Sequence, residues 1–221
     1  MQIPTTFYEC LDEQEREGLL ALGARRVFAE DETLMLQGDT DDHVILLLRG
    51  RVKVTRSAQG EHELLLSLRD AGDLLGELTF IDGESRTATV TALEEVEALV
   101  IPSGALRAHL QRTPRVAVVL LEAVAGRFRE ATVKRLEFAA SDTLGRLAAR
   151  IVELADRYGE ASPAGIAVAM PISQDELASW TGASRAGVAQ ALQTLRELGW
   201  LSTERGRLTL LDADALRARA A

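Results

Sequence analysis

The chain is poor in cysteine, histidine and long apolar runs, and each shortage removes a class of protein. Cys10 is the only cysteine among 221 residues, which excludes an internal disulfide and a four-cysteine iron–sulfur cluster. The longest unbroken apolar run, Val44-Ile45-Leu46-Leu47-Leu48, falls far short of the roughly 20 residues that a membrane-spanning helix needs. Met1-Gln2-Ile3-Pro4-Thr5-Thr6 lacks the basic segment and apolar core of a secretory signal. His43, His62 and His109 stand far apart with no His-x-His spacing, which argues against a metal oxygenase built on a β-barrel. The expectation is a soluble cytoplasmic protein with no metal and no membrane contact, and not an enzyme.

Hydrophobic residues make up 47% of the chain and charged residues 27%, enough apolar side chain for folded cores at a length suited to two compact units. The net charge of −9 is unevenly placed. Residues 1–140 carry about −8 and the remainder about −1, so the acidity lies mainly away from the C-terminal part.

Three patterns succeed one another along the chain. Asp12-Glu13-Gln14-Glu15 has the reciprocal capping arrangement that starts a helix, with Gly23 as its end. From Arg25 to about Ile101 short β-rich runs follow, at 33–36, 44–48, 52–55, 64–68, 88–92 and 96–101. They are broken by Gln37-Gly38-Asp39, Arg49-Gly50, Gln59-Gly60 and Ala71-Gly72-Asp73. Such spacing predicts a small barrel or jelly roll. Pro114 then opens a helix reaching about Ala140 with no internal proline. Along it Ala117, Leu121, Val124, Phe128, Ala131, Arg135 and Phe138 form a heptad seam with one polar member, and Val116, Val119, Leu120 and Ala123 form a second apolar line. Two faces call for two partners: the domain's own core, and the same helix of a second subunit.

One segment of the β-rich region has the chemistry of a phosphate site. In Gly76-Glu77-Leu78-Thr79-Phe80-Ile81-Asp82-Gly83-Glu84-Ser85-Arg86-Thr87, Arg86 supplies a fixed cation with a planar donor fork. Gly76 permits close backbone approach, and amides of a short helical turn over 78–81, Leu78 first, point at the anion. Thr87 adds a hydroxyl donor, and Glu77 is placed to accept a ribose hydroxyl.

A second segment has the pattern of a DNA reader. Ser141-Asp142 caps a helix striped by Leu144, Leu147, Ala148, Ile151, Leu154 and Ala155, and a strand over 166–170 follows. Ser173-Gln174-Asp175-Glu176 is a capping box. Small Ala178, Gly182 at a tight turn and Val188 filling the angle then give the logic of a helix-turn-helix. Ser184 caps its second helix, whose exposed face offers Arg185, Ala186, Ala189, Gln190 and Gln193, and residues 201–210 read as a hairpin wing. Arg185 suits guanine, Ala186 a thymine methyl and Gln190 adenine. Ser173, Ser184, Thr203, Arg205 and Arg207 are candidate phosphate contacts.

With these elements in order, the chain resembles the cyclic AMP receptor/fumarate-nitrate regulator superfamily. The stretch from Gly76 to Thr89 is similar to that family's phosphate-binding cassette, and the turns at residues 37–39 and 48–54 to those of its β-roll. The resemblance implies an α+β chain: an N-terminal cyclic-nucleotide-binding β-roll (jelly roll) over 1–113, a dimerisation helix over 114–140 and a winged helix-turn-helix over 141–221. It also implies a homodimer binding a palindromic double-stranded DNA operator, with RNA polymerase as a further partner, and cyclic AMP or another cyclic nucleotide as allosteric effector. The family reads the base partly through hydroxyls on the long helix, at positions occupied here by Ala131 and Thr132. Only Thr132 keeps one, and Thr87 accommodates either purine, so cyclic GMP stays open. A regulator of the same fold set by another ligand, or by none, is the alternative. In the reading helix Ala186 and Gln190 stand where the cyclic AMP receptor carries glutamate and arginine, which implies a different operator.

Overall fold

The computed structural model describes residues 6–57, 63–169, 172–204 and 206–220. The chain divides into two compact units, one ending at Glu130 and the other beginning at Ala131.

The N-terminal unit starts with α1 (Glu13–Leu20), where Asp12 and Glu15 close the expected capping box; the helix stops at Leu20, capped by Ala21 rather than by Gly23. The strands are β1 (Ala24–Phe28), β2 (Thr33–Met35), β3 (His43–Arg49), β4 (Val52–Ser57), β5 (Glu63–Arg69) and β6 (Leu74–Leu75); then come α2 (Glu77–Asp82), β7 (Thr89–Ala92) and β8 (Val96–Pro102). They form two antiparallel four-stranded sheets of order β1-β8-β3-β6 and β2-β7-β4-β5. Between the sheets lie Phe28, Met35, Ile45, Leu47, Leu75, Val90 and Val96. Gly38 and Gly72 turn the chain with φ of 90° and 92°, backbone that favours glycine.

Two helices then cover one sheet: α3 (Ser103–Arg112) and the first part of α4 (Pro114–Ala140). Val116, Val119 and Leu120 of α4 are buried with Phe7, Leu19, Leu46, Leu99 and Leu106, and Ala123 and Val124 pack at the edge. The second apolar line of the long helix thus lies on the core of its own domain. The heptad line is open at Leu121, 61% exposed, Phe128, 73%, and Phe138, 49%, while its member Val124 packs at the edge of the core.

The C-terminal unit holds the last ten residues of α4 and then α5 (Thr143–Tyr158), β9 (Gly159–Ser162), β10 (Gly165–Ala169), α6 (Gln174–Thr181), α7 (Arg185–Glu197), β11 (Leu201–Glu204), β12 (Arg207–Leu210) and α8 (Ala213–Ala220). Its sheet runs β11-β12-β10-β9. The amphipathic α5 buries Leu147, Ala148, Ile151 and Leu154. Asp142, Ser173 and Ser184 cap α5, α6 and α7 as their sequences require, each accepting a backbone N–H. Glu137, near the end of α4, bonds Arg150 of α5 and not the neighbouring Arg135. No helix among the described residues is long and apolar enough to cross a membrane.

Candidate functional site

The N-terminal candidate site is assembled by one glycine and two arginines. Gly76 leaves β6 with φ 79° and caps α2. A Cβ there would run into the Arg86 guanidinium and the end of Met35, so close approach and left-handed backbone both require glycine. Arg86 is only 4% exposed. Its Nη1 donates to Gly76 O at 3.2 Å, and its Nη2 to Asp41 O at 2.9 Å and His43 O at 2.5 Å. Its Nε is buried with no hydrogen-bond partner among the described residues. The backbone of Arg86 is paired as well, its N–H with Asp39 O at 2.7 Å and its carbonyl with Gly38 N at 2.9 Å. The Gln37-Gly38-Asp39 turn therefore positions the cassette arginine.

Glu77, the first residue of α2, is 8% exposed. Its carboxylate meets the guanidinium of Arg127, on α4 and in the same unit, at 2.6 Å. Arg127 also bonds Asp73 at 3.1 Å and Leu74 O at 2.8 Å. Sequence reasoning missed Arg127, although a signal was there: it continues the buried line of Leu120 and Ala123 at the next helical step, so it is a charge aimed at the core. Leu78 and Thr87 are exposed at the margin of this cluster. Thr132, also exposed, follows Arg127 by five residues and belongs to the C-terminal unit.

Burial shapes the electrostatics here. It lowers the Arg86 pKa, against the pull of the Asp41 and Glu77 carboxylates; a guanidinium stays charged all the same. Burial also works against the charge of Arg127, but Glu77 and Asp73 more than offset it and raise that pKa. His43 is lowered, first by burial and then by Arg86. A buried cation with one idle donor is matched to an anion, since an unmet buried N–H is costly.

The C-terminal candidate site is the α6–α7 pair. Gly182 turns between the helices with φ 58°. Val188, Ala191, Leu192 and Leu195 are buried, while Arg185, Ala186, Ala189, Gln190 and Gln193 are exposed together on the opposite face. Ala186 and Gln190 stand on the wall of an open cleft of about 460 Å³ that also includes Asp142, Thr143, Leu144 and Thr194. Arg185, with 72% of its side chain exposed, pairs with Asp175 of α6 at 3.2 Å. The hydroxyls of Ser173 and Ser184 are engaged as caps. Arg207 is exposed on β12, and Arg205 lies outside the described residues. Arg196, which sequence reasoning did not single out, donates to Thr203 Oγ1 at 3.0 Å and ties α7 to the wing. Among the described residues no group of three or more His, Cys, Asp or Glu is placed to hold a metal ion.

Comparison with known proteins agrees with this division. A family model for the cyclic nucleotide-binding domain matches residues 25–113, and one for the Crp-like helix-turn-helix domain matches residues 145–219. The chain is 30% identical over 193 residues to the CRP-like cAMP-activated global transcriptional regulator of Mycobacterium tuberculosis, covering 87% of this chain and 86% of that one. It is 28% identical to the cyclic AMP receptor protein of Thermus thermophilus, over 92% and 91% of the two chains. A CooA variant from Carboxydothermus hydrogenoformans shares the fold, with a TM-score of 0.80 over 99% of this chain and 97% of that one at 20% identity. The cassette, the long helix, the helix-turn-helix and these matches place the chain in the CRP/FNR family of DNA-binding transcriptional regulators, as a member with a cyclic nucleotide-binding domain and no enzymatic role.

Proposed function

We propose that this regulator is a cytoplasmic homodimer whose affinity for a palindromic operator is set by a cyclic nucleotide, cyclic AMP first, held at Gly76, Glu77, Leu78, Arg86, Thr87 and Thr132. The observation that carries the proposal is the idle Nε of Arg86, buried beside a glycine whose missing side chain leaves room for the guanidinium. When bound, such a nucleotide supplies a phosphodiester anion and a ribose hydroxyl. Arg86 and the amides at the start of α2 hold the first, and Glu77 accepts from the second. The names of the mycobacterial and Thermus relatives point to cyclic AMP.

Arg127 makes this site consequential. Glu77 has one carboxylate to share, and Arg127 already uses it. A new hydrogen bond to Glu77 alters the hold of the cassette on α4, the helix whose open seam residues Leu121 and Phe128 suit a second copy of the chain. Shifting the seam between two registers changes the spacing of the two reading helices. On DNA, Arg185, Ala186 and Gln190 read bases, while Ser173, Ser184, Arg205 and Arg207 contact phosphates. RNA polymerase is the further partner that the family likeness implies.

A second reading, a regulator set by another ligand or by none, is favoured by Ala131, which offers no hydroxyl to a base. Calorimetric titration with cyclic AMP and cyclic GMP separates the two. Cyclic AMP should bind the native protein and strengthen its hold on a selected operator. Arg86→Ala should weaken nucleotide binding by about 10-fold or more, the scale of a lost charge-assisted hydrogen bond. No heat with either nucleotide removes the effector proposal and leaves the second reading.

A further inference from the structure

Gly182 has a duty beyond its turn. Its φ of 58° is a left-handed conformation that asparagine also adopts. The space beside it is the stronger restriction: a Cβ on Gly182 would overlap the tip of the Phe138 ring. Phe138 belongs to the last turn of α4, within the C-terminal unit, and is 49% exposed. Its ring is not a core residue. One end meets the glycine, and the Arg146 guanidinium lies 4.7 Å from its centroid.

Arg146 completes a clamp. Its Nε donates to Thr181 O at 2.8 Å, and its Nη1 to Ser141 O at 2.6 Å, so one guanidinium joins the last residue of α6 to the residue after α4. The stretch that carries Phe138 is anchored independently. Glu137 pairs with Arg150, which is 5% exposed, and Lys134 pairs with Glu153 at 3.3 Å. The ring therefore rests on a fixed base and bears on Gly182, the first of the three residues between α6 and α7. Displacing it changes the angle at which α7 leaves α6, with no loss of a group that faces DNA.

We infer that Phe138 is a positioning residue for operator recognition: through Gly182, with Arg146 as the brace, the end of the long helix sets the pose of the reading helix. The inference rests on the reading that α7 enters the major groove. It concerns specific recognition, because phosphate attraction depends far less on the exact pose.

The test uses the full-length protein with cyclic AMP present, a duplex selected from a random pool on the native protein, and an unselected duplex. Phe138→Ala should weaken binding of the selected duplex about 10-fold or more while changing the unselected duplex less than about 2-fold. Gly182→Ala should do the same in the native background. In the Phe138→Ala background the same added methyl should weaken binding less than about 3-fold, because the ring it would strike is gone. Equal effects of Gly182→Ala in both backgrounds overturn the inference, as does unchanged discrimination by Phe138→Ala.

Amide exchange supplies a readout that needs no DNA. Gly182 N donates to Ser179 O at 3.1 Å and Ala183 N to Ala178 O at 3.0 Å; both should exchange faster in Phe138→Ala, or in Phe138→Leu if the alanine variant does not fold. Unchanged exchange overturns the inference. Faster exchange in a protein that selects no duplex supports the clamp and locates the failure in the assignment of α7.

Discussion

Arg86 and Arg185 stand at the centres of the two candidate sites, and their surroundings are opposite. Arg86 is sealed under the roll, bonded to three main-chain carbonyls and 4% exposed. Arg185 projects from α7 with 72% of its side chain in solvent and one carboxylate, Asp175, beside it. A buried cation must be preorganised, since every donor left unmet lowers stability. A surface pair is weak and exchanges its partner at little cost. On the proposed assignment the contrast teaches a division of labour: a preorganised ligand site, and a DNA site that keeps its cation exposed until a stronger acceptor arrives.

The comparison is broken most severely at the glycines. Gly76→Ala adds a Cβ where the backbone has φ 79° and where Arg86 and Met35 already sit. Thermal unfolding should show a loss of about 3–4 kcal/mol from backbone strain and overpacking together. Gly187→Ala in the first turn of α7 meets the Ser184 hydroxyl at 3.2 Å and otherwise makes ordinary contacts with Thr143 Cγ2 at 3.8 Å and Ala183 Cβ at 4.0 Å, and should change stability by about 1 kcal/mol or less. Similar losses in the two variants would remove the claim that only the first site is preorganised.

Removing the arginines sharpens the same contrast. Arg86→Ala removes the guanidinium that ties the carbonyls of Asp41, His43 and Gly76 together and should destabilise by about 2–3 kcal/mol in denaturant titration. Arg185→Ala should leave stability within about 0.5 kcal/mol, yet lose about 1–3 kcal/mol of discrimination at a guanine in a binding-selection assay. A stable Arg86→Ala protein beside a destabilised Arg185→Ala protein would invert the division of labour.

The smallest effect is set by pH. Burial, then Arg112, lowers the pKa of His109 below 6.5, while Glu15 opposes the shift. The folded state then binds fewer protons than the unfolded chain as the pH falls below about 6.5, and stability drops until the folded value is passed. His43 shifts in the same direction, through burial and Arg86. His109→Gln should flatten the stability curve between pH 7 and about 5.5 without abolishing its slope, because His43 remains. An unchanged slope would show that His109 does not contribute.

Much of the architecture is legible in the sequence because its signals are local. Capping oxygens at Asp12, Asp142, Ser173 and Ser184 act within three residues. The two apolar lines of α4 differ by one helical position: Val116, Val119 and Leu120 of one are buried, while Leu121 and Phe128 of the other are open. Other elements gave little sign. Ala24, Arg25, Arg26 and Val27 of β1 are all exposed, so no alternation marks the strand, which is defined by its pairing with β8. The two-residue β6, the helix α3 behind Pro102 and the terminal α8 are too short or too polar to have been singled out.

The order of the modules, the capped helix starts and the turn glycines were legible without the fold, because these depend on neighbours a few positions away. Only the tertiary structure decided which charges meet. It brought Arg127 to Glu77, 50 residues away in the chain, and Arg150 to Glu137, and it set Phe138 against Gly182. Periodicity assigns a side chain to a face, but its partner is fixed only when separate elements pack.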